Sequence, residues 1–127
     1  MLISILKSKI HRATVTDAKI DYIGSITIDK ALMKEAGINP NEKVLVASVN
    51  SGIRLETYVI EGKENSGEIC LNGAAAKLIG KGEKVIIMSF GLINEKNANN
   101  FKPKIVHVNE QNKIIKDILI SDNNEEC

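Results

Sequence analysis

KVLVASVNSGIRLETYVIE, residues 43–61, decides the fold. Its first part, KVLVASV (43–49), is an apolar run, and IRLETYVIE (53–61) carries the β-branched and aromatic residues that favour strands. Asn50-Ser51-Gly52 between them is a turn signal, so the stretch predicts a β-hairpin. On the second strand, residues two apart share a face. Arg54, Glu56 and Tyr58 therefore point one way and Thr57 the other.

Reading outward, the same grammar recurs. LISILKSKI and ATVTDAKIDYI at the N-terminus alternate partly and carry Ile, Val and Thr, so both read as strands. YIGSITID (22–29) sets Gly24-Ser25 between two β-like runs. DKALMKEAG (29–37) predicts a short helix, with Asp29 as N-cap, Leu32, Met33 and Ala36 as apolar stripe, and Gly37 as stop. NPNE (39–42) is a turn. EICL (68–71) is a short strand running into NGAAAKLIGKG, where Asn72-Gly73 turns the chain and residues 74–78 form one helical turn. EKVIIMSF (83–90) reads as a strand buried on both faces, and NEKNANNFKP (94–103) as a polar connection. KIVHV and KIIKDILI close the domain as strands around a turn at 110–112, and SDNNEEC reads as a frayed tail. Many short strands with tight turns predict a mainly β protein, a small barrel or sandwich with one or two short helices.

The 127 residues suit one domain, 1–127, large enough to bury a core without disulfides or metals. Lys and Arg number 17 against 16 Asp and Glu, so no broad field draws nucleic acid or an anionic membrane. With two Phe, two Tyr and no Trp, stacking platforms for single strands are not expected. Cys70 and Cys127 form no C-x-x-C pattern, which fits a reducing compartment with Cys70 as a small buried hydrophobe. No apolar run reaches the length of a membrane helix, and the N-terminus lacks the order of a signal peptide. The expectation is a soluble, cytoplasmic protein.

Two histidines, His11 and His107, without clustered acids or cysteines predict no metal site. No phosphate-binding glycine loop or nucleophile elbow occurs. The remaining polar candidates are Lys9, His11, Tyr22, Ser25, Arg54, Thr57, Tyr58 and Asn72. Arg54 and Tyr58 on one face would offer a carboxylate fork beside a proton donor. From pattern alone, plain structural readings win most of these. Gly24-Ser25 is a turn, Arg54 a solvated cross-strand partner, and Tyr58 half-buried packing. Lys9 and His11 form an exposed strand edge, and NGAAA leads into a helix.

Taken together, K-x-H-R-A-x-V-T (9–16), Y-x-G-S-x-x-I-D (22–29), R-x-x-T-Y (54–58) and N-G-A-A-A (72–76) resemble the pyruvoyl-dependent aspartate 1-decarboxylases. The resemblance runs from Met1 to about Phe101. It implies a double-psi β-barrel, made as a zymogen that cuts itself between Gly24 and Ser25 into a β chain (1–24) and an α chain (25–127). Ser25 becomes a pyruvoyl group, the cofactor, which takes L-aspartate as a Schiff base and releases β-alanine and CO2 in pantothenate biosynthesis. Thr57 matches the hydroxyl that polarises the Gly24 carbonyl during processing, and Tyr58 the proton donor. Arg54 and Lys9 match groups that bind or offset substrate carboxylates, with Thr57 also at the substrate. Asn72, Gly73, Ala74 and Ala75 match the segment lining the site, and His11 and Tyr22 lie near the pocket. The resemblance further implies a homotetramer with active sites between subunits. Some members need a helper protein to mature.

Two features stand apart from the resemblance. Thr57 and Tyr58 are neighbours, so on a regular strand they face opposite sides. Ile26 stands after Ser25, where some relatives carry a small polar residue. The competing readings are a non-catalytic barrel that binds or regulates, and a pyruvoyl decarboxylase of another amino acid.

Overall fold

The structure, a computed structural model, describes residues 1–116. It contains β1 (Leu2–Thr14), β2 (Asp17–Lys19), β3 (Ser25–Asp29), α1 (Lys30–Ala36), β4 (Lys43–Ser48), β5 (Arg54–Gly62), β6 (Ile69–Asn72), β7 (Lys84–Asn94) and β8 (Lys104–His107). Short 3-10 turns occupy Gly73–Lys77 and Glu95–Asn100. The strands form one sheet in the order β2-β6-β3-β5-β4-β7-β1-β8.

That row curls into a barrel because β1 and β2 are one bent segment. Only Val15 and Thr16 separate them. Val15 N–H donates to Glu83 O at 2.9 Å beside β7, and Thr16 N–H to Ile69 O at 2.7 Å on β6. One continuous length of chain thus bonds to both ends of the row and draws them together. The bend is built into β1, where Arg12 has φ 63° and the register against β7 slips between Ile10 and Ala13. An extra residue at such a slip sharpens a strand's twist. The small β-barrel with short helices is therefore observed.

Its interior is aliphatic. Ile10, Ile26, Ile28, Val46, Val59, Ile69, Leu71, Val85 and Ile87 are fully buried from strands all round the barrel, and Leu32 and Met33 of α1 join the same core. Burying each such side chain stabilises the fold by roughly 1.5–3 kcal/mol before conformational entropy is set against it. Asp29 fastens the end of β3. Its Oδ1 accepts from Ala31 N–H and Asn65 N–H, and its Oδ2 from Gly67 N–H, each at 2.8 Å. It caps α1 as the sequence predicts, and Gly37 ends the helix at φ 72°. The 43–61 hairpin is also present, as antiparallel β4 and β5.

Three local readings need correction. ATVTDAKIDYI is not one strand: Ala13 and Thr14 finish β1, and β2 stops at Lys19. The partner explains the stop, since β2 pairs with β6 up to Lys19↔Asn72 and β6 then turns away. Ile20, Tyr22 and Ile23 are left exposed. Lys9 and His11 are not on a free edge, because β1 lies between β7 and β8, and Lys9 is only 7% exposed. β7 runs on to Asn94 and is not buried on both faces. Val85, Ile87 and Ser89 are buried, Ile86 and Met88 half-buried, and Phe90 and Leu92 exposed. The 94–103 stretch, read as a polar connection, has no buried residue in its 3-10 turn at Glu95–Asn100 and keeps that reading. Of the closing pair, KIVHV forms β8 to His107, and the described part of KIIKDILI contributes one bridge, Ile114 to Val108. The rest of that run and the SDNNEEC tail lie outside the described residues.

Candidate active site

Ser25 is the first residue of β3 and is fully buried, whereas its neighbour Gly24 is exposed. The register of β3 on β6 sets Ser25 opposite Asn72 and Thr27 opposite Cys70. Residues two apart on a strand share a face, so these four side chains form one square. Asn72 is its centre. Its Nδ2 donates to Ser25 Oγ and to Thr27 Oγ1, both at 3.0 Å, and its Oδ1 accepts from Cys70 Sγ at 3.3 Å. Ser25 Oγ donates in turn to Ile23 O at 3.1 Å. Burial pushes the Cys70 thiol above its ordinary pKa, with Asp17 adding to the effect, so it is a protonated donor at neutral pH.

Two clefts flank the Gly24–Ser25 peptide. Ser25, Thr27, Cys70, Lys19, Tyr22 and Ile60 line a space of about 300 Å³. Gly24, Thr57, Tyr58, Ala74, Ala75 and Leu78 line another of about 410 Å³. Asn72 lines both. The second cleft exists because β5 starts before β3 does. Their parallel ladder begins at Ile26↔Val59, so its extension sets Gly24 and Ser25 level with Thr57 and Tyr58, beyond the last paired rung. With no strand against that edge, adjacent residues of β5 can border one space despite facing opposite sides of the sheet.

Gly73 makes the close approach that this arrangement needs. Its φ is 72°, and a Cβ there would lie 2.7 Å from Gly24 Cα and 2.9 Å from Tyr22 O. A Cβ on Gly24 would meet nothing nearer than Asn72 O at 4.0 Å. The steric demand at this peptide thus falls on Gly73 more than on Gly24.

The other sequence candidates sit elsewhere. Arg54 is exposed at the start of β5, on the face of Glu56 and Tyr58 and about 13 Å along the strand from Tyr58. Lys9 pairs with Met88 and Ile105 inside the sheet. His11 stands opposite His107 with ring centroids 5.5 Å apart, and burial, Lys9, His107 and Arg12 lower its pKa. Neither cleft is lined by Lys9, His11 or Arg54. Tyr22 is exposed at the first cleft, with Lys19 Nζ 5.0 Å from its ring centroid. Thr27 and Cys70 were absent from the sequence candidates. Their signal was two-residue spacing from Ser25 and Asn72, which becomes meaningful only once β3 and β6 are known to pair.

Comparison with known proteins gives the family to which this small barrel belongs. A family model described as aspartate decarboxylase matches residues 1–115, and the chain belongs to that family of carboxy-lyases. It is 56% identical to aspartate 1-decarboxylase of Caldicellulosiruptor bescii, over 100% of this chain and 98% of the relative. With aspartate 1-decarboxylase of Clostridium beijerinckii it shares 55% identity, over 98% and 100% of the two chains. With that of Dehalococcoides mccartyi it shares 60%, over 87% and 90%.

Proposed function

We propose that this chain is a self-processing decarboxylase of L-aspartate, forming β-alanine and CO2 after cutting itself between Gly24 and Ser25. The observation that carries the reading is the Ser25 hydroxyl, buried and held by Asn72 beside an exposed Gly24. Ser25 Oγ attacks the Gly24 carbonyl carbon, and the amide becomes an ester as the Ser25 nitrogen takes up a proton. Loss of the Ser25 α-proton expels the Gly24 carboxylate and leaves dehydroalanine. Water then replaces its nitrogen, releasing ammonia and leaving a pyruvoyl group at residue 25.

The surroundings fit that group. Asn72 Nδ2 already donates to the oxygen of residue 25, and the bare Gly73 Cα leaves room for the adjoining backbone. When formed, the group supplies an electron sink for the electrons freed as CO2 departs. The rest is done by side chains. Thr57, level with Gly24, polarises the carbonyl under attack. Tyr58 returns a proton to the substrate carbon. Asn72, Ala74 and Ala75 wall the cleft, and Gly73 between them lets the backbone approach Gly24. Lys9 and Arg54 offset the two carboxylates of aspartate in an assembled homotetramer, where sites form between copies. The cleft rims support this, since Tyr22, Ile23, Ile60 and Leu78 are exposed apolar surface suited to cover by a neighbour.

The test is the denatured mass of purified protein beside a Ser25→Ala control. Two chains, 1–24 and 25–127, with the larger lighter by one ammonia than a serine-started chain, support the reading. One intact chain, in buffer and in cell extract that could supply a helper, overturns it. Assay of the cut protein with aspartate against glutamate then fixes the substrate.

A further inference from the structure

We propose that Cys70 is a positioning residue whose thiol sets the rotation of the Asn72 carboxamide, so that its NH2 rather than its oxygen faces Ser25. The inference rests on the self-processing reading above. A carboxamide can sit either way round, and only its partners decide which. Thr27 Oγ1 decides nothing, because a hydroxyl donates as readily as it accepts. Ser25 Oγ already donates to Ile23 O, so it offers Asn72 lone pairs. Cys70 settles the other side. Its Sγ–H donates to Asn72 Oδ1 at 3.3 Å, with Leu71 O at 3.8 Å as its alternative acceptor.

Turning the amide over would set Asn72 Nδ2 against sulfur, a weak acceptor, and Oδ1 against Ser25. Ser25 would then have to give up Ile23 to donate to Asn72. The side chains concerned are closed off, with Cys70 1% and Asn72 5% exposed, so water offers little replacement. The raised pKa of the thiol supports the same picture, since a thiolate would accept and favour the turned amide. Cys70 touches neither Gly24 nor the incoming substrate in this scheme and acts through Asn72.

The test compares Cys70→Ala, which removes the donor, with Cys70→Ser, which keeps one. Each is followed by cleavage rate, by melting temperature, and by the ¹⁵N side-chain signal of Asn72 in the uncut Ser25→Ala background. Cys70→Ala is expected to slow cleavage about tenfold, as for one lost hydrogen bond, and to shift the Asn72 amide signal. Cys70→Ser should restore most of the rate and the signal. If Cys70→Ala is folded, cuts at the parent rate and leaves the Asn72 signal in place, the proposal is wrong. If Cys70→Ser is folded and as slow as Cys70→Ala, the proposal is also wrong, because packing and not donation is then what matters. A parent chain that never cuts would sink the self-processing reading instead, and the amide signal alone would then decide the role of Cys70.

Discussion

Asn72 Nδ2 lies 3.0 Å from Ser25 Oγ, across the first rung of the β3–β6 ladder. One amide group therefore orients the hydroxyl while Thr27 and Cys70 hold the amide. Asn72→Ala removes this aim and strands the buried Ser25 and Cys70 groups. It is expected to slow cleavage about 10- to 100-fold while the chain still folds, read by mass spectrometry over time and by circular dichroism.

The two glycines at the site should respond differently. Gly73→Ala drives a Cβ to 2.7 Å from Gly24 Cα in a backbone conformation hostile to side chains. It should displace the Tyr22–Gly24 segment and abolish cleavage, and it should cost at least about 1–2 kcal/mol in stability. Gly24→Ala has 4.0 Å of clearance and should fold normally, with cleavage slowed by less than tenfold. Equal loss in both variants would show that the demand at Gly24 lies in the attack itself.

Acid should loosen the β1 side of the barrel through Glu42. Burial alone would raise its pKa, but hydrogen bonds from Asn39 N–H, Lys7 and Ser89 outweigh it and hold the carboxyl below its ordinary value. Lys7 Nζ is 2.7 Å from Glu42 Oε2, and the same ammonium reaches Gly37 O at 2.9 Å. A depressed carboxylate stabilises the fold above its unfolded pKa of about 4.3 and stops doing so as pH falls through the folded value. Glu42→Gln should cost about 1–3 kcal/mol at pH 7 and flatten the acid limb of the melting curve. His11 acts in the same direction at higher pH. Its lowered pKa means that the unfolded chain binds the proton first, so stability falls as pH drops below the ordinary histidine range near 6.5. His11→Gln should remove that step.

Asp29 should matter as a fastener of β3. Three backbone N–H groups depend on its carboxylate, and Asp29→Ala leaves them unpaired at a residue 1% exposed. Chemical denaturation should report a loss of about 2–4 kcal/mol, with Asp29→Asn milder.

Local signals were read well from the chain alone. The Asp29 cap, the Gly37 stop and the 43–61 hairpin need only neighbours in sequence, and all are present. What escaped depends on partners distant in the chain. The end of β2 at Lys19 is dictated by β6 turning away at Gly73, and the burial of Lys9 by β7 and β8 closing over both sides of β1. The site divides the same way. The motifs pointed to Ser25, Thr57, Tyr58 and Asn72, but facing directions on one strand argued against Thr57 and Tyr58 sharing a space. Only the stagger of β3 against β5 shows how they do. Thr27 and Cys70 were invisible for a related reason: a polar residue and a small sulfur-bearing one look ordinary until their strands are paired.

The bent segment that closes the barrel belongs wholly to residues 1–24, and its ladder partners β6, β7 and β8 all lie beyond Ser25. Severing the chain at Gly24 therefore changes the molecularity of unfolding. An uncut barrel melts at a temperature independent of its concentration, apart from any assembly between copies. A cut one comes apart into two molecules that must find each other again, so dilution lowers its melting point and added 1–24 peptide raises it. Maturation would then be a one-way commitment, in which the pieces inherit a shape that they learned as a single chain.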